Sequence, residues 1–600
     1  MSILQASLLI AGLALAGQDG QSPSHAVPSA DFYVAVNGSD SNFGTEQQPF
    51  ATLEKARDAV RAKIESGLKT DVLVLVRGGT YRLSKPLVFG SNDSGTPGHS
   101  IVYAAFPGEK PVLSGGASIT DWQPHRDGIW KASAPQLFRQ LYVNGVRAVR
   151  ARTPNAPNTY SLNWNVKDKT ISVPAGQIAN WNNFQQVEMV VSLMWAEAIL
   201  RLDSFTTNGD TADLVVQNPE RDMVFLRPYP AKLPDQAYHF ENAYEFLDAP
   251  GEWYLDTRVK TLYYKPRKGE DMTKTEVIAP AIETLLRVEG TLEKPVHDLC
   301  FRSLAFEHSN WTRASKSGML NMQAGLFNTK VEPNNKQWCA RSPAAVYVAA
   351  ADRVTFERDA FRHIGAAGID FYFGTHGCAV VGNVFDDISG NAIQLAQFNE
   401  GDRESHVPYQ PADPRDICSD DSIRNNYITR VGQDYYGCVA IACGYPRKLT
   451  VEHNEIAEVP YTGISVGWGW FHGPNVMRGN RIRYNRIHHF MSRLWDGGAI
   501  YTLSPQFDSE IAFNHIYDYV KPHWLTDNII LQMIYLDEGS DYLAVHDNLV
   551  EVLREDASRS RIVNLNQPGQ HNVIRDNGLQ SETIRFNAGL EPTYQDIKQP

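Results

Sequence analysis

From about residue 344 to residue 577 the chain alternates apolar and polar residues in short bursts, and each burst closes on glycine or polar turn residues. Segments such as AAVYVA, GIDFYF, AIACG, GISVG, AIYTL and MIYL change side at every residue, which is a strand period, and helical periodicity is missing. Eight such units superimpose on a final Asp or Asn: Asp359, Asn383, Asn426, Asn454, Asn485, Asn514, Asn548 and Asn577. A repeat of this length marks a solenoid, in which each unit buries its apolar side only by stacking on the next. The pattern predicts a right-handed parallel β-helix over 281–580. The Asn column has a structural explanation, because Asn tolerates left-handed turns and its amide can bond along a stack.

Upstream, residues 31–119 read as an N-terminal cap and the first coils. A strand at DFYVAV is followed by an amphipathic helix with start signals at Pro49 and Thr52, suited to cover the open end of a solenoid. Between 120 and 280 the rhythm changes. LFRQLYVNGVRAVRARTPN, VEMVVSLMWAEAILRLDSF and GEWYLDTRVKTLYYKP suggest antiparallel strands with tight turns, hence an inserted β-rich domain. Its aromatics, Trp195 among them, are core by default, with sugar platforms as the alternative. Residues 581–600 are left as a C-terminal tail.

Composition narrows the function. The 600 residues are 42% hydrophobic and 21% charged, with a net charge of −12, which is globular and disfavours a nucleic-acid partner. ILQASLLIAGLALA near the N-terminus is too short to span a bilayer and reads as a signal peptide over 1–26, implying a secreted or periplasmic protein. Nothing else is apolar enough for a membrane segment, and a monomer is expected. The six cysteines form no disulfide framework; buried thiols are the expectation, with a bridge at Cys339 or Cys418 as the alternative. The sequence has no zinc-ligand spacing, Walker loop, GxGxxG or GxSxG, so no metal or cofactor is expected.

Candidate chemistry collects near the C-terminus. YTGISVGWGWFHGPN brings Trp468, Trp470 and His472 together at a coil exit, where alternating tryptophans would share a face and offer sugar-stacking surfaces. RLWDGGAIYTL and QMIYLDEGSDYL are variants of one phrase. Superimposing them sets Ile500 beside Ile534 and Tyr501 beside Tyr535. With the isoleucines inside the coil, Tyr501, Tyr535 and Asp537 point outward, Asp537 into solvent, with Glu538 starting the turn. Asp496 precedes its strand at a Gly497-Gly498 bend, where a plain Asp-Gly turn is the alternative. Counted along extended chain, Asp496 and Asp537 would stand about 23 Å apart unless that bend closes the gap.

The ladder, LYVNGVRAVRARTPN, GISVGWGW, DGGAIYTL and IYLDEGS together resemble bacterial β-helix glycosidases of glycoside hydrolase family 141, over residues 31–580. The resemblance implies action on plant cell-wall carbohydrate, on α-L-fucosides in pectin or on xylan. It implies catalytic acids at Asp496 and Asp537, with Glu538 in reserve; Trp468, Trp470, His472, Tyr501, Tyr535 and Glu538 are the residues expected around the substrate. Two carboxyls, one protonated and one ionised, are what glycoside hydrolysis usually needs. A polysaccharide lyase or epimerase, or a non-catalytic carbohydrate-binding β-helix, remain the alternatives, since one fold hosts many functions.

Overall fold

The computed structural model describes residues 29–155, 161–398, 403–525 and 529–598; the expected signal peptide lies outside them. Three long sheets run the length of the molecule, and the chain visits them in rotation. The first begins at Phe32–Val34 and ends at Val573–Arg575, the second runs from Gly79–Arg82 to Leu549–Val550, and the third from Leu87–Phe89 to Ser560–Leu565. Neighbouring strands are parallel throughout, as between Ile464–Val466 and Ile500–Thr502. This is a parallel β-helix. Inside it, like residues stack in register. Phe306, Phe361 and Phe385 form a column with ring centroids 5.1 and 4.6 Å apart, continued by Ile428, Ile456, Ile487 and Ile516. Stacking identical side chains lets every coil fill the same cross-section, so the core grows without gaps.

The Asn column is the spine of one corner. Each Nδ2 donates to the Oδ1 of the next coil's Asn at 2.8–3.0 Å from Asn383 through Asn577. The same Nδ2 groups also reach back to strand carbonyls, as Asn454 does to Ile423 (2.9 Å). The column satisfies buried backbone at every turn, which a repeated corner without water requires. Asp359 heads the column. Its Oδ1 accepts from the Leu304 amide, but its buried Oδ2 has no partner among the described residues. Burial pushes that carboxyl well above the ordinary carboxylate range.

The helix Leu53–Glu65 covers the first coil with Leu53, Ala56 and Val60, and its N-cap is Thr52, whose hydroxyl accepts from the Lys55 amide. The C-terminal residues fold back along the solenoid: Arg358 pairs with Asp596, Asn425 with Glu591 and Lys598 with Glu455. All six cysteines are buried and free.

Strands Leu87–Phe89 and Leu286–Glu289 are sheet neighbours, as are Pro111–Ser114 and Ala305–Ser309. The residues between 114 and 286 therefore leave and rejoin the solenoid between adjacent coils. They build antiparallel sheets around the hairpin Glu188–Ser192 and Glu197–Asn208. The excursion after Ser309 extends that sheet, since Met319–Asn321 pairs with Glu197–Ile199. Half-buried ion pairs and a backbone hydrogen bond hold the insertion on the coils. Arg147 binds Asp387 (2.6 Å) and Asp434 (3.0 Å), and the amide of Trp495 donates to the Met194 carbonyl (2.8 Å). The antiparallel region is consequently a fixed roof over one side of the third sheet.

Candidate active site

Every coil turns two corners beside the third sheet, and the chain uses both for excursions. Before the third-sheet strands come the insertion, the 310–343 hairpins and the 491–499 segment; after them come 396–421, 467–480 and the turn at 537–540. These are two walls with the third sheet as floor. Between them lies a cleft of about 450 Å³, a size suited to a sugar ligand. Asp496, Asp537, Glu538 and Trp470 line it, together with residues from the insertion and from other walls.

The two aspartates enter from opposite walls. Ile500–Thr502 and Leu531–Leu536 pair in the expected register, Ile500 on Ile534 and Tyr501 on Tyr535. Asp537 directly follows the second of these strands. Asp496 sits at the bend before the first, with φ +65°, and its carbonyl accepts from the Tyr461 hydroxyl (2.7 Å). Gly497 is required there, because a Cβ would lie 2.6 Å from Thr462 Oγ1 and 2.7 Å from the Tyr461 ring. A left-handed residue before two glycines folds the segment over the floor instead of extending along it. The extended-chain separation is thereby removed. The Tyr535 hydroxyl sits against both carboxyls and holds each down somewhat.

Their environments differ. Asp537 is 5% exposed, not solvent-facing as outward parity suggested. It accepts from the Tyr501 hydroxyl and from Asn566 Nδ2 (2.7 Å). Tyr501 and Tyr535 do point outward, but the walls and roof bury them, at 2% and 3% exposed. Parity in a strand decides which side of the sheet a residue faces; what covers that side is decided elsewhere in the chain. At Asp496 the donors Tyr535 and Gln532 count for less than burial and the Asp537 charge. Burial first, and the Asp537 charge second, push its carboxyl from 3.8 up to about 7. Burial also raises Asp537, against the Tyr501 and Asn566 donors that favour its anion. In such a coupled pair the first ionisation belongs to the better hydrogen-bonded anion, Asp537, and its charge then keeps the proton on Asp496. Glu538, half-buried at the lip, is raised by burial and by Asp537, with His472 and His406 opposing.

The tryptophan pair divides. Gly467 (φ +102°), Gly469 (φ +106°) and Trp470 (φ +46°) break the strand, so the residues at 468 and 470 do not share a face. Trp468 is fully buried, edge-on to Trp470 (4.6 Å) and Phe398 (5.7 Å). It is core, and the expected sugar contact falls to Trp470 alone, which lines the cleft beside His406. His472 is exposed and is not among the lining residues.

A family model of the GH141 insertion domain matches residues 128–267. A solved structure described as a glycoside hydrolase is 35% identical, covering 95% of this chain and 100% of its own, with a TM-score of 0.89. The chain belongs to glycoside hydrolase family 141. A further solved structure, the complex of XylC with xylose, is 13% identical with a TM-score of 0.47, over 89% of this chain and 69% of that one. The uncharacterized protein YwoF of Bacillus subtilis (strain 168) is 35% identical over 88 residues, which is 14% of this chain and 16% of that protein.

Family 141 membership gives the insertion a place in the site. Trp195, Arg227 and Tyr229 reach the cleft from it, and Gln323, Asn335 and Gln337 from the hairpins that extend its sheet. His406, Asn566 and Gln567 complete the lining from the opposite wall. The sequence gives these residues no role, apart from Trp195, which was core by default with a sugar platform as the alternative; it lines the cleft. Trp195 precedes Asp496 by 301 residues and His406 precedes it by 90, and no local periodicity encodes their convergence.

Proposed function

We propose that this family 141 protein hydrolyses glycosidic bonds in plant cell-wall polysaccharide or its oligosaccharides, as a secreted or periplasmic enzyme acting without a cofactor. The observation that carries the reading is one cleft that holds two carboxyls in different surroundings, Asp537 bound by Tyr501 and Asn566 and Asp496 at the bend before its strand. Asp496 is the general acid: it keeps its proton near neutrality and can give it to the departing glycosidic oxygen. Asp537 is the ionised partner, oriented by Tyr501 and Asn566, and acts as base or nucleophile at the anomeric carbon. The tyrosine floor excludes water, which strengthens both charges. Trp470 and Trp195 supply apolar faces on which sugar rings stack. An α-L-fucosidase-like or xylanase-like specificity is the reading drawn from the family.

The test is product chromatography of a panel of plant polysaccharides digested with the wild type, Asp496→Asn, Asp537→Asn and Glu538→Gln. Loss of hydrolysis in both aspartate variants, with a milder effect at Glu538, is expected. Release of ultraviolet-absorbing unsaturated sugars would indicate a lyase. Undiminished turnover in either aspartate variant would remove that residue from the mechanism.

A further inference from the structure

We infer that the cleft holds a subsite for a carboxylate on the substrate, that of a uronic acid residue, with Arg227 as its receptor. The inference rests on the hydrolase reading and deepens it.

Arg227 caps the C-terminus of the insertion helix Glu220–Leu226 and lines the cleft, yet only 4% of it is exposed. Its one side-chain partner is neutral: Nη1 donates to Asn328 Oδ1 (3.0 Å), and Asn328 in turn donates to Gln337 Oε1 (2.8 Å). Its Nε is buried without any acceptor. Among the described residues no carboxylate lies within ion-pair distance. The other fully buried arginines of the insertion are compensated: Arg139 and Arg150 share Glu188. Arg227 is thus an exception within its own domain.

A second cation adjoins it. Lys232 is half-buried, donates only to the Arg227 carbonyl, and also has no acidic partner among the described residues. Burial pulls the guanidinium down to about 10 and the ammonium to about 8, the direction an uncompensated cation takes. Two adjacent cations without an anion are costly to keep, unless a ligand supplies the charge. A guanidinium presents a planar fork that fits a carboxylate with two parallel hydrogen bonds.

Arg227 lines the same cleft as the two aspartates, and among the described residues it forms an ion pair with neither. The guanidinium is therefore placed to serve a ring beside the one being cleaved. It also offsets the repulsion that Asp537 and Glu538 would exert on an acidic substrate.

The experiment compares an oligosaccharide bearing uronic acid with the same oligosaccharide after reduction of its carboxyls to neutral alcohols. Binding of each is measured by calorimetry to the wild type and to Arg227→Met. Carboxyl reduction is expected to weaken wild-type binding about 10- to 100-fold, the worth of a charge-assisted pair. Arg227→Met should bind the two sugars alike. It should also melt no lower than the wild type, since a buried unpaired charge has been removed. Equal wild-type affinity for both sugars, no detectable uronate binding, or tighter binding of a sulfated sugar than of the uronate would overturn the proposal. The wild-type pair decides even if the variant fails to fold. Because binding needs no turnover, a failure here is separate from failure of the hydrolase reading, which Asp537→Asn turnover reports.

Discussion

Replacing Asp496 with Asn separates a catalytic acid from a turn residue, because the two roles move activity and stability in opposite senses. The carboxyl is raised from 3.8 to about 7, chiefly by burial and then by the Asp537 charge. A group raised on folding contributes stability that is complete below its unfolded value and lost as pH rises through its folded value. The shift corresponds to about 4 kcal/mol between the two protonation states. Asp496 is partly open to the cleft, so water recovers some of this, and about 1–3 kcal/mol is expected in practice. An amide at 496 carries no such charge. Urea unfolding at pH 5 and pH 8.5 should therefore show Asp496→Asn gaining on the wild type by that amount at the higher pH. Activity should fall by about 100- to 10,000-fold on a natural glycoside, the usual worth of a general acid. It should fall less on an aryl glycoside, whose leaving group needs no proton. The alkaline limb of the wild-type pH profile, near 7, should vanish in the variant. A variant that keeps its turnover and alkaline limb, while losing stability at pH 8.5, would show that Asp496 is only the bend before Gly497.

Three further outcomes follow from the same geometry. Tyr501→Phe removes a donor that favours the Asp537 anion, so the acidic limb of the profile should move to higher pH and kcat should fall, with little change in KM. Trp468→Ala should cost about 3–5 kcal/mol of stability as a core truncation, whereas Trp470→Ala should mainly raise KM; thermal melts and oligosaccharide kinetics read the two apart. Asp359→Asn supplies the missing amide at the head of the ladder and should stabilise by about 1–2 kcal/mol at neutral pH. That gain should shrink as pH falls toward 3.8, where the wild-type carboxyl is protonated in both states.

The sequence by itself determined the scaffold. A stacked coil repeats its own environment, so strand alternation, the Asn column and the pairing of Ile500 with Ile534 are all local signals copied many times, and repetition makes them legible. The same repetition set Tyr501 beside Tyr535, and the DGG and LDEG phrases marked both acids. The tertiary structure alone decided what those phrases meant. Asp537 was expected in solvent and is buried, because the residues covering it belong to the insertion and to hairpins far away in the chain. Trp468 was expected at the surface and is core, because the positive φ angles at Gly467, Gly469 and Trp470 end the strand whose parity placed it. The gap between the acids closed through the left-handed bend at Asp496, whose cause is the contact of Gly497 with Tyr461 on the preceding coil. Arg227 had no signal at all. A lone cation becomes informative only when burial removes water and its neighbours are seen to hold no anion, and both are facts of packing between segments that the sequence does not place together.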